Sequence, residues 1–307
     1  MSATEQLPDS LTFFERGWLS SNTILAKGRE TVLIDSGYYT HAAFMGKLLD
    51  TRLCGASIDR LYNTHLHSDH CGGNAYLQQR YPGLVTSIPE VGASDMQDWC
   101  LQPETYERVG QTCPSFSVSA LHRPGETVEF GHLEWRVLAS PGHDPDSVLF
   151  FCDERKILIS ADALWENGFG VLFPLLDGKE AFTEQEDTLT LIESLGAKCV
   201  IPGHGGVFYD TNKALDVARK RLEFYASDPK RHVTHAIRVL LKFILLERQT
   251  VDWVSFESEF MHLSAVRKVY DDYFSAHVTA AEFALATAQA LVSSKVADWS
   301  DGSLCNR

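Results

Sequence analysis

Asn63-Thr64-His65-Leu66-His67-Ser68-Asp69-His70-Cys71-Gly72-Gly73-Asn74 sets three imidazoles and a carboxylate within one short run, His65 to His70. The preceding Asp59-Arg60-Leu61-Tyr62 reads as a short apolar strand, and the following Gly72-to-Leu77 run reads as a turn that opens a helix. The cluster therefore falls where a strand ends and a loop begins, the usual position of a site in an open α/β sheet. His65 and His67 are two residues apart, so on an extended backbone they project to one side and can bind one ion. Asp69 and His70 lie on the turn that follows and can aim at a second. Neutral imidazole with carboxylate suits Zn²⁺ and other borderline first-row metals.

Outward from this block, short β-rich runs precede it: Leu11 to Phe14, Ser21 to Ala26 and Thr31 to Asp35, the last two joined by a Lys27-to-Glu30 turn. Asp35-Ser36-Gly37 closes the third, and His41 to Arg52 has helical patterning. Downstream, a helix runs to Gln79 and stops at Tyr81-Pro82-Gly83. Leu84 to Ile88 reads as a strand, Glu90 to Cys100 as a helix, and 101–117 as irregular. Gly131-His132 between Thr127-to-Phe130 and Leu133-to-Ala139 signals a hairpin. No internal repeat or low-complexity tract is evident.

Ligand-type residues recur in matching contexts. His143 stands at a loop tip in Ser140-Pro141-Gly142-His143-Asp144, again after a strand. The strand pair Val148 to Cys152 and Lys156 to Ser160 runs into Ala161-Asp162-Ala163. Asp is disfavoured in strands; a metal-bridging carboxylate or a turn cap would each account for Asp162. After a Thr183-to-Leu195 helix and the strand Cys199 to Ile201 comes Pro202-Gly203-His204-Gly205-Gly206, whose glycines let the loop pass close to an ion. The aromatics Trp165, Phe169 and Phe173 directly follow Asp162 and are candidates to line an apolar substrate mouth, with ordinary packing as the alternative.

With those pieces in hand, the chain resembles the metallo-β-lactamase fold superfamily over roughly residues 10 to 210. Asp35-Ser36-Gly37, the H-x-H-x-D-H block, His143, Asp162 and His204 occur in that family's order. The resemblance implies an α+β class fold, a four-layer αβ/βα sandwich with the site at one edge of two facing sheets. It implies that His65, His67 and His143 hold one metal, that Asp69, His70 and His204 hold another, and that Asp162 bridges them. Asp35 would orient a ligand imidazole from behind. The expected cofactors are two divalent ions, Zn first, with Fe or Mn as alternatives. Two such ions about 3.5–4 Å apart would lower the pKa of a shared water from about 15.7 toward neutral, and the resulting hydroxide would attack a carbonyl carbon or a phosphorus. Asp69 and Asp162 are the catalytic candidates, Asp69 as a proton acceptor or relay. Cys71 has no dedicated base and is not expected to be a nucleophile.

Within the superfamily, true β-lactamases usually lack an Asp at the Asp162 position, and the flavodiiron branch carries a Glu where this chain has His67. The Thr64-to-Asn74 block resembles that of glyoxalase II, although Gly203-His204-Gly205-Gly206 departs from that branch. The expectation is therefore a hydrolase of a small-molecule ester, thioester or lactone. A phosphodiesterase, or a metal-containing regulatory or binding protein on the same fold, is the alternative.

Composition agrees with a globular chain: 307 residues, 44% hydrophobic and 22% charged. The net charge of -14 and pI of about 5.3 argue against a nucleic-acid backbone as the main partner and against the RNA-processing branch. The start of the chain has no signal-peptide pattern, and no apolar run approaches the roughly 18–20 residues of a membrane span. Seven scattered cysteines without C-x-x-C suggest a reducing, cytoplasmic setting. The domain expectation is a hydrolase unit over 1–210 and an α-helical extension over 211–307. The extension is expected to fold over the site or to serve stability or homodimerisation. Its Ile237, Leu240, Leu241, Ile244 and Leu245 recur at helical spacing and must be buried. His41, His122, His132, His232, His235, His262 and His277 lack ligand spacing and read as surface or satisfied core residues.

Overall fold

Alternation decides how the strands stack. In β2 (Thr23–Lys27), Ile24 and Ala26 face one core while Leu25 faces another; in β10 (Ile157–Ala161), Ile157 and Ile159 oppose Leu158 in the same way. Successive side chains point to opposite faces, and both faces here are apolar, so each sheet must be covered on both sides. The computed structural model, which describes residues 7–90 and 104–307, has that arrangement.

Among the described residues, the first sheet has the order β1-β2-β3-β4-β5-β6. It comprises β1 (Leu11–Phe14), β2, β3 (Thr31–Ile34), β4 (Arg60–Tyr62), β5 (Val85–Pro89) and β6 (Ala120–His122). Strands β1 to β3 form an antiparallel meander, and β3 to β6 run parallel. The second sheet, β11-β10-β9-β8-β7, contains β7 (Thr127–Phe130), β8 (Leu133–Ala139), β9 (Val148–Cys152), β10 and β11 (Cys199–Pro202). It is antiparallel except for the β10–β11 pair.

Ile24, Ile34, Trp135, Phe150 and Ile201 belong to the core between the sheets. On the outer side of the first sheet, Leu25, Leu33 and Leu61 pack on Met45, Leu49 and Leu77 of helices Ala42–Leu53 and Asn74–Arg80. On the outer side of the second, Leu149, Phe151 and Leu158 pack on Leu189 and Ile192 of helix Phe182–Leu195 and on Leu215 and Leu222 of helix Thr211–Ala226. These are the four layers that the family resemblance implies.

The C-terminal stretch differs from expectation in one respect. Besides helices Pro229–Arg248, Trp253–His262, Ser264–Tyr273 and Ala280–Ser293, it carries a three-stranded antiparallel sheet, β12-β14-β13. Strands β12 (Thr250–Asp252), β13 (Ala297–Ser300) and β14 (Ser303–Asn306) are too short to give a clear period of two. Asp301-Gly302 between the last two is nevertheless a two-residue hairpin signal. The expected stripe is buried: Ile237, Leu240, Leu241, Ile244 and Leu245 are each at most 1% exposed. Helix Pro229–Arg248 is also tied to the segment that follows β3, because Tyr38 and Tyr39 both donate to Glu247, each at 2.9 Å. The helix expected over Glu90 to Cys100 falls, beyond its first residue, outside the described residues. Of the stretch expected to be irregular, the described residues 104–117 include a one-turn helix at Glu104–Glu107.

Candidate metal centre

Every ligand-type residue singled out from the sequence arrives at the same edge of the sandwich, at strand ends. His65 lies in a bend after β4, and His67, with extended backbone, is the N-cap of the one-turn helix Ser68–Cys71 that carries Asp69 and His70. His143 is in the β8–β9 loop. Asp162 follows β10, where the register with β11 shifts between Ile159 and Ala161 and Ala161 adopts φ 46°. A non-glycine residue in that region is strained, and strain of this kind concentrates at functional sites. Gly203 N–H donates to Ala161 O at 2.7 Å, and a Cβ at Gly203 would come within 2.1 Å of Asp162 Oδ1. Only glycine lets the His204 loop approach this closely.

The side chains converge in two groups: His65, His67 and His143, and Asp69, His70, Asp162 and His204. Within each, the ligand-type atoms lie within 4.8 Å of one another. In the first group, His67 Nδ1 is 3.1 Å from His65 Nε2 and 2.8 Å from His143 Nε2, and the last two are 3.3 Å apart. His143 Nδ1–H donates to Val171 O at 2.6 Å, so its Nε2 presents a lone pair. Neutral imidazole lone pairs facing one another repel unless a cation sits among them. One face of a tetrahedral zinc site, with Zn–N about 2.0–2.1 Å, has N–N edges of roughly 3.3 Å. The observed triangle is close to that size.

In the second group, His204 Nε2 lies 3.1 Å from Asp69 Oδ2, and His70 Nε2 lies 3.4 Å from Asp162 Oδ1. Asp162 Oδ2 faces both groups, at 3.5 Å from His143 Nε2 and 3.7 Å from His204 Nε2. Trp165 Nε1–H steadies that carboxylate by donating to Oδ1 at 3.2 Å. Asp35, itself at φ 57°, accepts from Thr64 N–H and Thr64 Oγ1–H, both at 2.8 Å, and from His70 Nδ1–H at 2.8 Å. With Nδ1–H committed to Asp35, Nε2 is the nitrogen of His70 turned to the site, and it is buried with no hydrogen-bond partner among the described residues. A buried polar atom in that state calls for a partner, and a metal ion fits.

The electrostatics follow the same division. Burial, reinforced by neighbouring imidazoles, holds His65 well below the usual histidine pKa. Burial likewise lowers His143 to about 4, with His67 adding to the effect, and lowers His67 to about 4. All three are thus in the neutral, ligating state. In the second group burial would also lower His70, but Asp162, Asp35 and Asp69 outweigh it and hold His70 well above its usual value. Burial would raise Asp162, but His204, His70 and His143 hold it well below the carboxylate range. A proton on His70 thus occupies a place that a divalent cation would fill. Burial first, then Cys113, pushes the Cys71 thiol well up, consistent with an inert side chain.

A cavity of about 370 Å³ opens onto His67, Asp69, His143, Asp162 and His204. Trp165, Phe169 and Phe173, the candidates for a substrate mouth, all line it. Phe173 packs on His67 with ring centroids 4.5 Å apart, and Trp165 meets His204 edge-on at 5.3 Å. Leu240 of the expected helical stripe also lines the cavity, but sequence reading missed several other wall residues. Trp18, 59% exposed, stacks on His204 at 5.4 Å and 8°. His235, Val239 and Phe243 come from helix Pro229–Arg248, and Arg221 from helix Thr211–Ala226. His235, Val239 and Phe243 recur every fourth residue beside the buried stripe, a spacing that could have marked them. Nothing around Trp18 distinguishes it in sequence.

A family model described as the metallo-beta-lactamase superfamily matches residues 16–204. The chain is 28% identical over 200 residues to an atrochrysone carboxyl ACP thioesterase of Aspergillus fumigatus, a match covering 63% of this chain and 39% of that protein. It is 32% identical over 119 residues to a hydroxyacylglutathione hydrolase of a Synechococcus strain, covering 39% of this chain and 40% of that protein. The chain thus spans about two-fifths of the length of these relatives. Among solved structures, a metallo-beta-lactamase family protein from Thermus thermophilus aligns with a TM-score of 0.55 at 19% identity, covering 97% of this chain and 98% of that one. That likeness is one of fold.

Proposed function

The chain belongs to the metallo-β-lactamase superfamily, and from that premise we propose that it is a dinuclear metal-dependent hydrolase of a small-molecule ester, thioester or lactone. The observation that carries this reading is Asp162, whose carboxylate faces both ligand groups beside an apolar cavity. Relatives named as a thioesterase and as a hydroxyacylglutathione hydrolase favour a thioester among the three.

His65, His67 and His143 would hold one ion, and Asp69, His70 and His204 the other, with Asp162 between them. Mixed imidazole and carboxylate donors suit Zn first, and Fe or Mn share them. When bound, the ions supply Lewis acidity and an activated water. The chain's own contribution is positioning. Asp35 fixes the tautomer of His70, Val171 O fixes that of His143, and Trp165 restrains Asp162. Asp69, whose side chain keeps 13% exposure, is the acidic group from which a proton can pass to solvent. The walls formed by Trp165, Phe169, Phe173 and Phe243 would exclude water and take the apolar part of the substrate. Because helix Pro229–Arg248 supplies Val239, Leu240 and Phe243 to that wall, the C-terminal extension would restrict which substrates enter.

A panel of chromogenic esters, thioesters, lactones and phosphodiesters, assayed on metal-reconstituted protein, tests this. Turnover of an acyl substrate supports the reading. Preference for a phosphodiester would reassign the reaction, and no turnover of any class with two metals bound would make the protein a metal-containing binding or regulatory protein.

A further inference from the structure

Arg221 is a cation on the cavity wall with no acidic partner among the described residues. Its Nη2 lies 2.9 Å from His235 Nε2, and its guanidinium lies over the rings of Phe169 at 5.5 Å and Tyr225 at 5.6 Å. His235 stacks on Tyr225 at 5.7 Å and 23°. Burial first, then Arg221 and Arg238, lowers His235 to about 4, so it accepts the guanidinium hydrogen bond as a neutral ring and contributes no compensating charge. Glu166, on the same wall, is exposed and forms no ion pair among the described residues. The chain also makes room for this arrangement: Gly168 adopts φ 127°, and a Cβ there would meet Arg221 Nη1 at 2.6 Å. Arg221 is half-buried and presents its guanidinium on the cavity wall without an opposing charge among the described residues. Its rigid fork matches a carboxylate in two parallel hydrogen bonds. No other Lys or Arg lines the cavity among the described residues, so a singly charged group suits the site better than a phosphate.

We propose that Arg221, held by His235 and the rings of Phe169 and Tyr225, anchors a carboxylate at the end of the substrate remote from the reacting carbonyl. The substrate class is then an acyl ester or thioester whose apolar segment ends in a carboxylate. This rests on the hydrolase reading for the reacting end alone; the anchor is a binding site in its own right.

The test uses an inert probe pair on the metal-loaded full chain: 6-(methylamino)-6-oxohexanoate, which carries one carboxylate, and the neutral N,N′-dimethylhexanediamide. Calorimetric titration of wild type should give binding about tenfold tighter for the carboxylate probe. Arg221→Gln and Arg221→Met should each abolish that preference while leaving the neutral probe unchanged; Met keeps the apolar stem on Phe169 and Tyr225, so it serves if Gln impairs folding. Arg221→Lys should retain part of it. A preference that survives in both neutral variants, as it would if the carboxylate sat on the metals, overturns the proposal, and so does equal binding of the two probes by wild type. Hydrolysis of neutral 4-nitrophenyl hexanoate is followed in parallel. If neither it nor any ester, thioester or lactone of the panel above is turned over while the Arg221-dependent preference persists, the hydrolase reading falls and the anchor stands.

Discussion

Asp35 Oδ2 accepts the Nδ1 proton of His70 at 2.8 Å, and this one bond decides which nitrogen of His70 faces the metal centre. The same carboxylate accepts from the backbone and hydroxyl of Thr64, so Asp35 also fixes the chain immediately before His65. Asp35→Asn keeps the shape but offers an amide that can present N–H to His70. The expected result is a loss of metal affinity of about 10- to 100-fold, read by competition with a chromogenic chelator, with a far-UV circular dichroism spectrum like that of wild type. Unchanged affinity would show that His70 is oriented by other contacts.

Gly203→Ala tests the close approach of two strand ends. The added methyl would lie 2.1 Å from Asp162 Oδ1 and 3.0 Å from the Ala161 backbone. The His204 loop or Asp162 must then move. Overpacking of this kind costs about 1–3 kcal/mol, and metal occupancy should fall with it. A variant with wild-type thermal stability and full metal content would mean that the loop yields without disturbing Asp162.

His122 offers a pH dependence separate from the metal ligands. It is 1% exposed, hydrogen-bonded to Ser87 Oγ at 2.9 Å, and lowered by burial from 6.5 to about 4. Between those values the unfolded chain binds a proton that the folded chain refuses. Stability is therefore lost as pH falls from about 6.5 to about 4, by on the order of 3 kcal/mol for this group. His122→Gln cannot titrate, so the stability difference between wild type and variant should shrink or reverse across that window in urea titrations. Parallel curves would contradict the shift.

The cavity wall contributed by the C-terminal helix is open to a kinetic test. Phe243 packs edge-on against Tyr38 at 5.1 Å and lines the cavity. Phe243→Leu should raise KM for substrates with long apolar acyl groups by about tenfold, with little change in kcat or metal content. An unchanged substrate profile would leave the extension a stabilising element only.

Much of this architecture is legible in the order of residues alone, because the chemistry is concentrated at strand ends. The H-x-H-x-D-H block, His143, Asp162 and His204 each follow a short apolar run, and a strand that ends in a ligand-type residue is an unusual local event. The part Asp35 plays is legible only through the family resemblance. What escapes is produced by tertiary contact. Trp18 reaches His204 across the sheet edge from a loop with no periodicity, and Arg221 meets His235 only because two consecutive helices fold back on each other. The small C-terminal sheet escapes because strands of three or four residues carry too few side chains to display alternation.

The central claim is that Asp162 joins two ion sites, and the metal-to-protein ratio tests it most directly. The whole chain is reconstituted with Zn²⁺, Mn²⁺ or Fe²⁺, desalted, and measured by elemental analysis beside Asp162→Ala. The account predicts about two ions per chain for wild type and at most one for the variant. A wild-type ratio that stays near zero with every metal, or an Asp162→Ala protein that still carries two, would contradict it.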